Sequence, residues 1–256
     1  MISPHAIIDP KAELGTDVEV GPWTIIGPDV VIGSGCQIAS HVVIKGPTVI
    51  GPNNKILQFS TIGEDTPDLK YAGEPTRLDI GEGNVFREGV TIHRGTVQDN
   101  GITIIGNNNL LMAYVHVGHD SVIGSHCIFA NNAALAGHVK IGDYANISGY
   151  TLIHQFCSIG AYAFTGMGTA ISMDVPAYVL VAGNPVAAKS VNAVGLKRRN
   201  FSKEDINAIN NAFKTLYRRG LTLDQALAEL EQQSQSCEAI NLMIASLRTS
   251  NRGIVR

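Results

Sequence analysis

A chain of 256 residues is long enough to bury a full core, and a composition of 45% hydrophobic and 16% charged residues excludes a disordered polypeptide. The formal net charge of −3 gives no reason to expect a nucleic-acid partner. Every apolar run is broken by Gly, Pro or a polar residue well before membrane-spanning length, so no integral membrane segment is expected.

The chain opens on Met1-Ile-Ser-Pro-His-Ala-Ile-Ile-Asp-Pro10, which has no basic region or long apolar region of a signal peptide; a cytoplasmic location is the expectation. A six-residue repeat then begins. Aliphatic residues recur at Leu14, Val20, Ile26, Ile32, Ile38, Ile44, Ile50, Ile56 and Ile62, and Gly follows at Gly15, Gly21, Gly27, Gly33, Gly51 and Gly63. Small or β-branched residues such as Thr24, Cys36, Thr48 and Ser60 stand two places before the aliphatic. Neither helical nor simple strand periodicity gives a period of six over this length. A coil of three short parallel strands does, with one aliphatic per strand pointing inward.

The repeat is interrupted twice. Residues 64–79 carry several acids and two prolines and read as a loop projecting from a coil. The hexads resume at Ile80, Phe86 and Ile92, then break again over residues 94–104, after which their phase has slipped by one residue. Long loops in compact domains are usually functional or disordered, and these lie close to a histidine-rich run, which favours function.

From Ile105 the hexads continue through Leu111, Val117, Ile123, Phe129, Leu135, Ile141, Ile147, Ile153, Ile159, Thr165 and Ile171. Cys36, Cys127 and Cys157 all fall in the small position of the repeat, which predicts packing inside the coil rather than thiol chemistry. Near Asp174 the pattern becomes helical. Ser202-Lys-Glu-Asp205 predicts a capped helix to about Arg219 with Gly220 as its stop, Thr222-Leu-Asp-Gln225 opens another, and Glu238 to Leu247 a third. The fold expected is mainly β: a parallel β-helix over 1–190, followed by a small C-terminal α-helical domain over 191–256.

Within this frame, His116-Val-Gly-His119-Asp120 asks for a different explanation, since a coil needs only aliphatic, small and turn residues. Three strands of six residues make a coil of about eighteen, so residues eighteen apart stack roughly 4.8 Å apart. Counting from His119 gives Gly137 and then Gln155, with His138 and His154 one residue off that column. Two chemistries fit stacked imidazoles: a zinc site with an open position, or proton transfer and hydrogen bonding. Asp120 beside His119 favours the second, with His119 as general base, because a carboxylate orients an imidazole. Strand neighbours point to opposite faces, so only a corner would bring the pair together.

A basic cluster also stands out. Lys189, Lys197, Arg198, Arg199, Lys203, Lys214, Arg218 and Arg219 face only Glu204 and Asp205 in the same stretch. It reads either as a solvated face or as a docking surface for something acidic.

Several segments together resemble the UDP-N-acetylglucosamine O-acyltransferase family, which begins lipid A synthesis in Gram-negative bacteria. They are Asp68-Leu-Lys-Tyr-Ala-Gly-Glu-Pro-Thr-Arg77, Thr91-Ile-His-Arg-Gly-Thr96, Leu135-Ala-Gly-His138, Ile153-His-Gln-Phe-Cys157 and Gly195-Leu-Lys-Arg-Arg199. The likeness spans essentially the whole chain, hexads, loops and helical tail alike. It implies a left-handed coil, against the usual right-handed crossover, and a homotrimer with sites between subunits. It also implies transfer of an (R)-3-hydroxyacyl chain from acyl carrier protein to the sugar 3-hydroxyl, with no metal and no cofactor.

Residue by residue, the resemblance makes His119 the base, Asp120 its support and the Gly137 N–H an oxyanion donor. Asp68, Lys70, His116, His138, His154, Gln155, Asn192 and Arg198 match positions that contact the nucleotide sugar or its diphosphate. Arg199 and Lys203, in the basic tail, would meet the acidic acyl carrier protein. The other readings are a zinc-dependent carbonic anhydrase-like protein and a non-catalytic hexad scaffold; the loops and the His-Asp pair argue against the second.

Met167 bears on acyl-chain length. It stands between Gly166 and Gly168, where some relatives have glycine, and gap-filling is the alternative explanation for it. It lies 48 residues past His119, about 2.7 coils or roughly 13 Å along the axis. An extended chain advances about 1.3 Å per carbon, so an acyl chain running from His119 toward the C-terminus would meet Met167 after about ten carbons. A 3-hydroxydecanoyl-class donor is therefore expected.

Overall fold

The computed structural model describes residues 1–256. The hexads form a left-handed parallel β-helix of triangular cross-section, whose three sides are sheets of nine, eight and ten short strands. Most strands are two residues long, an outward residue followed by a buried one, as in Glu19–Val20, Ile25–Ile26 and His116–Val117. Ile26, Ile44, Ile62, Ile92, Val117, Leu135 and Ile153 thus stack down the interior of the first sheet, at the positions the repeat predicts. Cys36, Cys127 and Cys157 are buried at corners, and burial pushes the Cys127 thiol up to about 12 and that of Cys157 to about 11. These thiols pack; they are poor nucleophiles.

Nearly every corner of the triangle is turned by one residue in the left-handed region. On the corner between the first and second sheets these include Asp29 (φ 57°), Asp120 (φ 57°), His138 (φ 61°) and Phe156 (φ 66°). The second-to-third corner carries His126, Tyr144, Tyr162 and Tyr178, whose rings stack at 4.7, 4.9 and 5.6 Å. The remaining corner carries Trp23, His41, Phe59, Tyr114 and Tyr150, with Trp23, His41 and Phe59 in contact. Non-glycine residues seldom adopt this conformation singly, and here the ladder of coils holds them in it.

The two interruptions explain the phase of the repeat. Ile80 pairs with Ile50, thirty residues earlier rather than eighteen, so the first insertion adds twelve residues, two whole hexads, and leaves the phase intact. Ile105 pairs with Ile80, twenty-five residues earlier, so the second adds seven and slips it by one. The first loop runs between the strands Thr61–Glu64 and Arg77–Ile80, the second between Thr91–His93 and Ile102–Ile105. The ends of both segments expected to be loops, Arg77–Asp79 and Ile102–Ile104, are therefore strand.

After the last coil, Val179–Ala182 pairs in parallel with Phe164–Thr165 and antiparallel with Ala187–Val191. Four helices follow: α1 (Ala193–Arg198), α2 (Lys203–Arg218), α3 (Leu223–Ser234) and α4 (Ile240–Arg248). The short α1 has no counterpart in the sequence reading. Thr222 and Gln225 form a reciprocal capping box on α3. Ser202 caps α2 by accepting from Asp205 N–H, but the Asp205 carboxylate returns to the Ser202 hydroxyl (2.7 Å). The helices close the C-terminal end of the coil. Tyr178 Oη donates to Ala239 O (2.8 Å), Ala177 N–H to Ser246 Oγ (3.0 Å), and Ser250 Oγ to the buried Asp174 carboxylate (2.7 Å). No helix is long and apolar enough to cross a membrane.

Candidate active site

The expected corner is present between the first and second sheets. His119 and Asp120 occupy the turn from His116–Val117 to Val122–Ile123, and the left-handed Asp120 swings its carboxylate back toward its neighbour. His119 Nδ1 and Asp120 Oδ2 lie 2.8 Å apart. Thr96 donates twice to the same carboxylate, from N–H to Oδ1 (2.9 Å) and from Oγ1 to Oδ2 (2.7 Å), while Asp120 N–H donates to Thr103 Oγ1 (2.8 Å). Burial works to raise the Asp120 carboxyl, but the bonds from His119 and Thr96 outweigh it and hold the group below its ordinary range. An ionised Asp120 requires the donor on His119 to be Nδ1–H, which leaves Nε2 with a lone pair.

Gly137 lies directly over that nitrogen. A Cβ built on Gly137 would come 2.5 Å from both Nε2 and Cε1 of His119, so only glycine leaves the ring its place. Gly137 N–H donates to no protein acceptor. His138, one residue on, packs edge-to-face with His119 (centroids 5.0 Å) and stacks on Phe156 (4.4 Å). Its Nδ1 meets Asp99 Oδ2 at 2.9 Å, and its Nε2 stands 3.9 Å from Asp120 Oδ2. His119, Asp120 and His138 converge closely enough to suggest a metal-ligand set. Both Nδ1 atoms and both Asp120 oxygens are already engaged, with one another, with Thr96 and with Asp99, while the two Nε2 atoms accept no hydrogen bond from the protein.

Below His119, His116 Nδ1 pairs with Thr91 Oγ1 (2.8 Å) and its ring meets His93 edge-to-face at 5.0 Å. Burial, then the nearby His116, lowers the His93 imidazole to about 4; burial, then His119, lowers His116. His93 Nδ1 is buried without a partner. His154 and Gln155 are exposed on the coil beyond His138, with His154 Nδ1 3.1 Å from the Gln155 carbonyl oxygen.

A family model described as "Udp N-acetylglucosamine O-acyltransferase; Domain 2" matches residues 174–255. Another, "Bacterial transferase hexapeptide (six repeats)", matches 11–46, 29–64 and 102–137. The acyl-(acyl-carrier-protein)–UDP-N-acetylglucosamine O-acyltransferase of Saccharophagus degradans is 66% identical, over 100% of this chain and 99% of its own. That of Stutzerimonas stutzeri is 62% identical over the same shares. The solved structure of LpxA from Acinetobacter baumannii superposes with a TM-score of 0.98 at 48% identity, covering 100% of this chain and 99% of that one. This chain belongs to the acyl-(acyl-carrier-protein)–UDP-N-acetylglucosamine O-acyltransferase family.

In this acyltransferase the expected site residues fall into separate groups. His116, His119, Asp120, Gly137, His138, His154 and Gln155 gather on or beside the first-to-second corner. Asp68 and Lys70 stand on the first loop, where Asp68 Oδ1 accepts from Lys70 N–H (2.9 Å). Asn192, Arg198 and Arg199 lie on the second-to-third corner, around a cleft of about 150 Å³ lined also by His126, Tyr144 and Tyr162. Asn192 is nearly buried: its Oδ1 accepts from Gly195 N–H (3.1 Å) and caps α1, and its Nδ2 donates to Tyr162 O (3.0 Å). Arg199 lies over the Tyr144 ring at 4.7 Å, whereas Lys203 opens α2 in solvent.

Met167 requires a correction. It turns the corner between the third and first sheets, 80% exposed, so a chain following the His119 corner of the same molecule does not meet it. Its offset of 48 residues is two coils plus twelve residues, and the remainder carries it to another corner. Sequence reasoning also missed Thr96, Asp99 and Arg94. Arg94 is buried; it donates to Gly63 O (2.5 Å) and Tyr71 Oη (3.0 Å) and pairs with Asp65, which ties the first loop to the second. Loop residues have no register, so no periodicity points to these contacts.

Proposed function

We propose that this enzyme transfers an (R)-3-hydroxyacyl chain from acyl carrier protein to the 3-hydroxyl of UDP-N-acetylglucosamine, the first step of lipid A biosynthesis, with His119 as general base. The observation that carries this reading is the His119–Asp120 dyad, with Nε2 facing the backbone of Gly137. Asp120 holds Nδ1–H, so Nε2 takes the proton from the sugar hydroxyl as its oxygen attacks the thioester carbonyl. Gly137 N–H donates to the oxyanion that forms. Collapse of the tetrahedral intermediate breaks the C–S bond, and the carrier thiolate recovers the proton from the His119 imidazolium. The enzyme ends the cycle unchanged.

The substrate residues are split between two corners of the prism, with Asp68, Lys70 and the histidines on one side and Asn192 and Arg198 on another. A site that uses both sets draws them from two copies, which supports an assembly with sites between subunits; the form proposed for it is a homotrimer, and the location proposed for it is the cytoplasm. In the same reading, residues 1–190 form the catalytic β-helix and 191–256 a helical domain that receives the carrier.

The test is an acyl-transfer assay with UDP-N-acetylglucosamine and a panel of carrier thioesters. Mixing inactive His119→Ala with inactive Arg198→Ala subunits should restore part of the activity. No transfer to the nucleotide sugar would overturn the reaction, and no recovery on mixing would overturn the shared site.

A further inference from the structure

We infer that Thr96, on the second insertion, is a positioning residue for the reaction: its hydroxyl and N–H clamp the Asp120 carboxylate and thereby hold the His119 imidazole in register. The inference rests on the reading of His119 as the base.

The seven residues inserted between His93 and Ile102 interrupt the coil and fold over its corner. Thr96 closes that loop on itself, since its carbonyl oxygen accepts from Gly101 N–H (3.0 Å) and Asp99 N–H (3.2 Å). The turn faces Thr96 inward, 1% exposed, against Asp120, 5% exposed. Asp120 Oδ2 then receives two donors, His119 Nδ1 (2.8 Å) and Thr96 Oγ1 (2.7 Å), while Oδ1 takes Thr96 N–H (2.9 Å). Two bonds from one residue fix the plane of the carboxylate as well as its position. That plane sets the direction of Oδ2, and hence the direction of the His119 ring. A bond to a buried, charged acceptor is among the stronger neutral-donor bonds, and its loss leaves that charge short of a partner.

The groups facing Asp120 are His119 on its own corner, His138 on the next coil (3.9 Å), and Asp99 behind His138; His116 lies beside His119. Removing the Thr96 hydroxyl makes the carboxylate more basic and strengthens its hold on an imidazolium. The proton affinity of the Asp120 carboxylate rises with the loss of that bond. The acid limb of the pH–rate profile should therefore move to higher pH.

The test compares Thr96→Val, which keeps shape and loses the donor, with Thr96→Ser, which keeps the donor, and with His119→Ala. Thermal melting and chromatography check the fold. Thr96→Val should lower kcat by about tenfold or more, change KM for UDP-N-acetylglucosamine little, and move the acid limb upward. Thr96→Ser should restore most of the loss and the wild-type limb. Should the valine variant be insoluble, Thr96→Ala is held to the same criterion. Wild-type kcat and limb in the valine or alanine variant would overturn the inference, as would a serine variant as impaired as valine or a loss confined to KM. If His119→Ala is itself near-normal, the reading of the base has failed and not the clamp alone.

Discussion

His119 and Asp120 are consecutive in the chain, yet their side chains meet Nδ1 to Oδ2 at 2.8 Å. On a strand they would point to opposite faces. The left-handed turn at Asp120 (φ 57°) removes that alternation and places both groups on the outside of one corner. A conformation that the coil needs for closure thus also assembles the dyad.

Asp120→Asn tests the dyad while conserving size. The amide can present its NH₂ to Nδ1 and favour the wrong tautomer, placing the proton on Nε2. Turnover should fall by roughly 10²- to 10⁴-fold, the scale at which an imidazole loses its orienting carboxylate, with little change in substrate KM. A variant within about threefold of wild type would show that Asp120 does not set the tautomer.

Acid should destabilise the fold through the half-buried His93 and His116. His93 is held down to about 4 by burial and then by His116, against about 6.5 in an unfolded chain. Between those values the unfolded chain binds a proton that the folded chain does not, so stability rises with pH across the window and falls as pH drops from about 6.5 toward 4. His116 acts in the same direction. The depressed Asp120 carboxyl adds stability above the ordinary carboxylate range, lost at still lower pH. Melting temperature measured from pH 7 to pH 4 should decline, and His93→Gln should flatten the slope. An unchanged slope in that variant would remove His93 as a cause.

The coil, its aliphatic core, the packed cysteines and the caps at Ser202 and Thr222 were legible in the sequence because each depends on local spacing. So was the column from His119 through Gly137, since no insertion follows it. The split of substrate residues between corners was harder to read, because Asn192 and Arg198 lie beyond the last hexad, after the antiparallel strand Ala187–Val191 and on α1, where no repeat fixes their corner. Met167 falls elsewhere than expected for a different reason: its offset of 48 residues from His119 sets an axial distance, but the remainder of twelve residues beyond two coils sets the corner. The contacts of Thr96, Asp99 and Arg94 depend on how two loops fold over the corner, which no repeat encodes.

Acyl-chain length remains a test of Met167, now with a changed geometry. Because it lies on another corner, it would limit a chain only in a groove between copies. Met167→Gly should shift preference from ten-carbon toward longer 3-hydroxyacyl donors in the assembled enzyme. An unchanged chain-length profile would reduce Met167 to an exposed corner residue.

Carrier docking should depend on charge. Lys189, Lys214, Arg218 and Arg219 line one basic groove beside α2, and Lys203 is exposed at the start of that helix. Lys203→Glu should raise KM for the carrier-bound donor, less so at high salt, with kcat little changed. Arg199→Glu should also cost packing, because that guanidinium lies on Tyr144. Equal KM values for wild type and Lys203→Glu at low salt would place the docking surface elsewhere.

The central claim is that His119 takes the proton from the sugar hydroxyl, and steady-state transfer by His119→Ala measures it most directly. With UDP-N-acetylglucosamine and a 3-hydroxydecanoyl carrier thioester, kcat should fall by roughly 10²- to 10⁴-fold or more. The variant should melt and elute as wild type does, because the side chain lies outside the aliphatic core. A correctly folded His119→Ala enzyme with near-normal turnover would contradict the account.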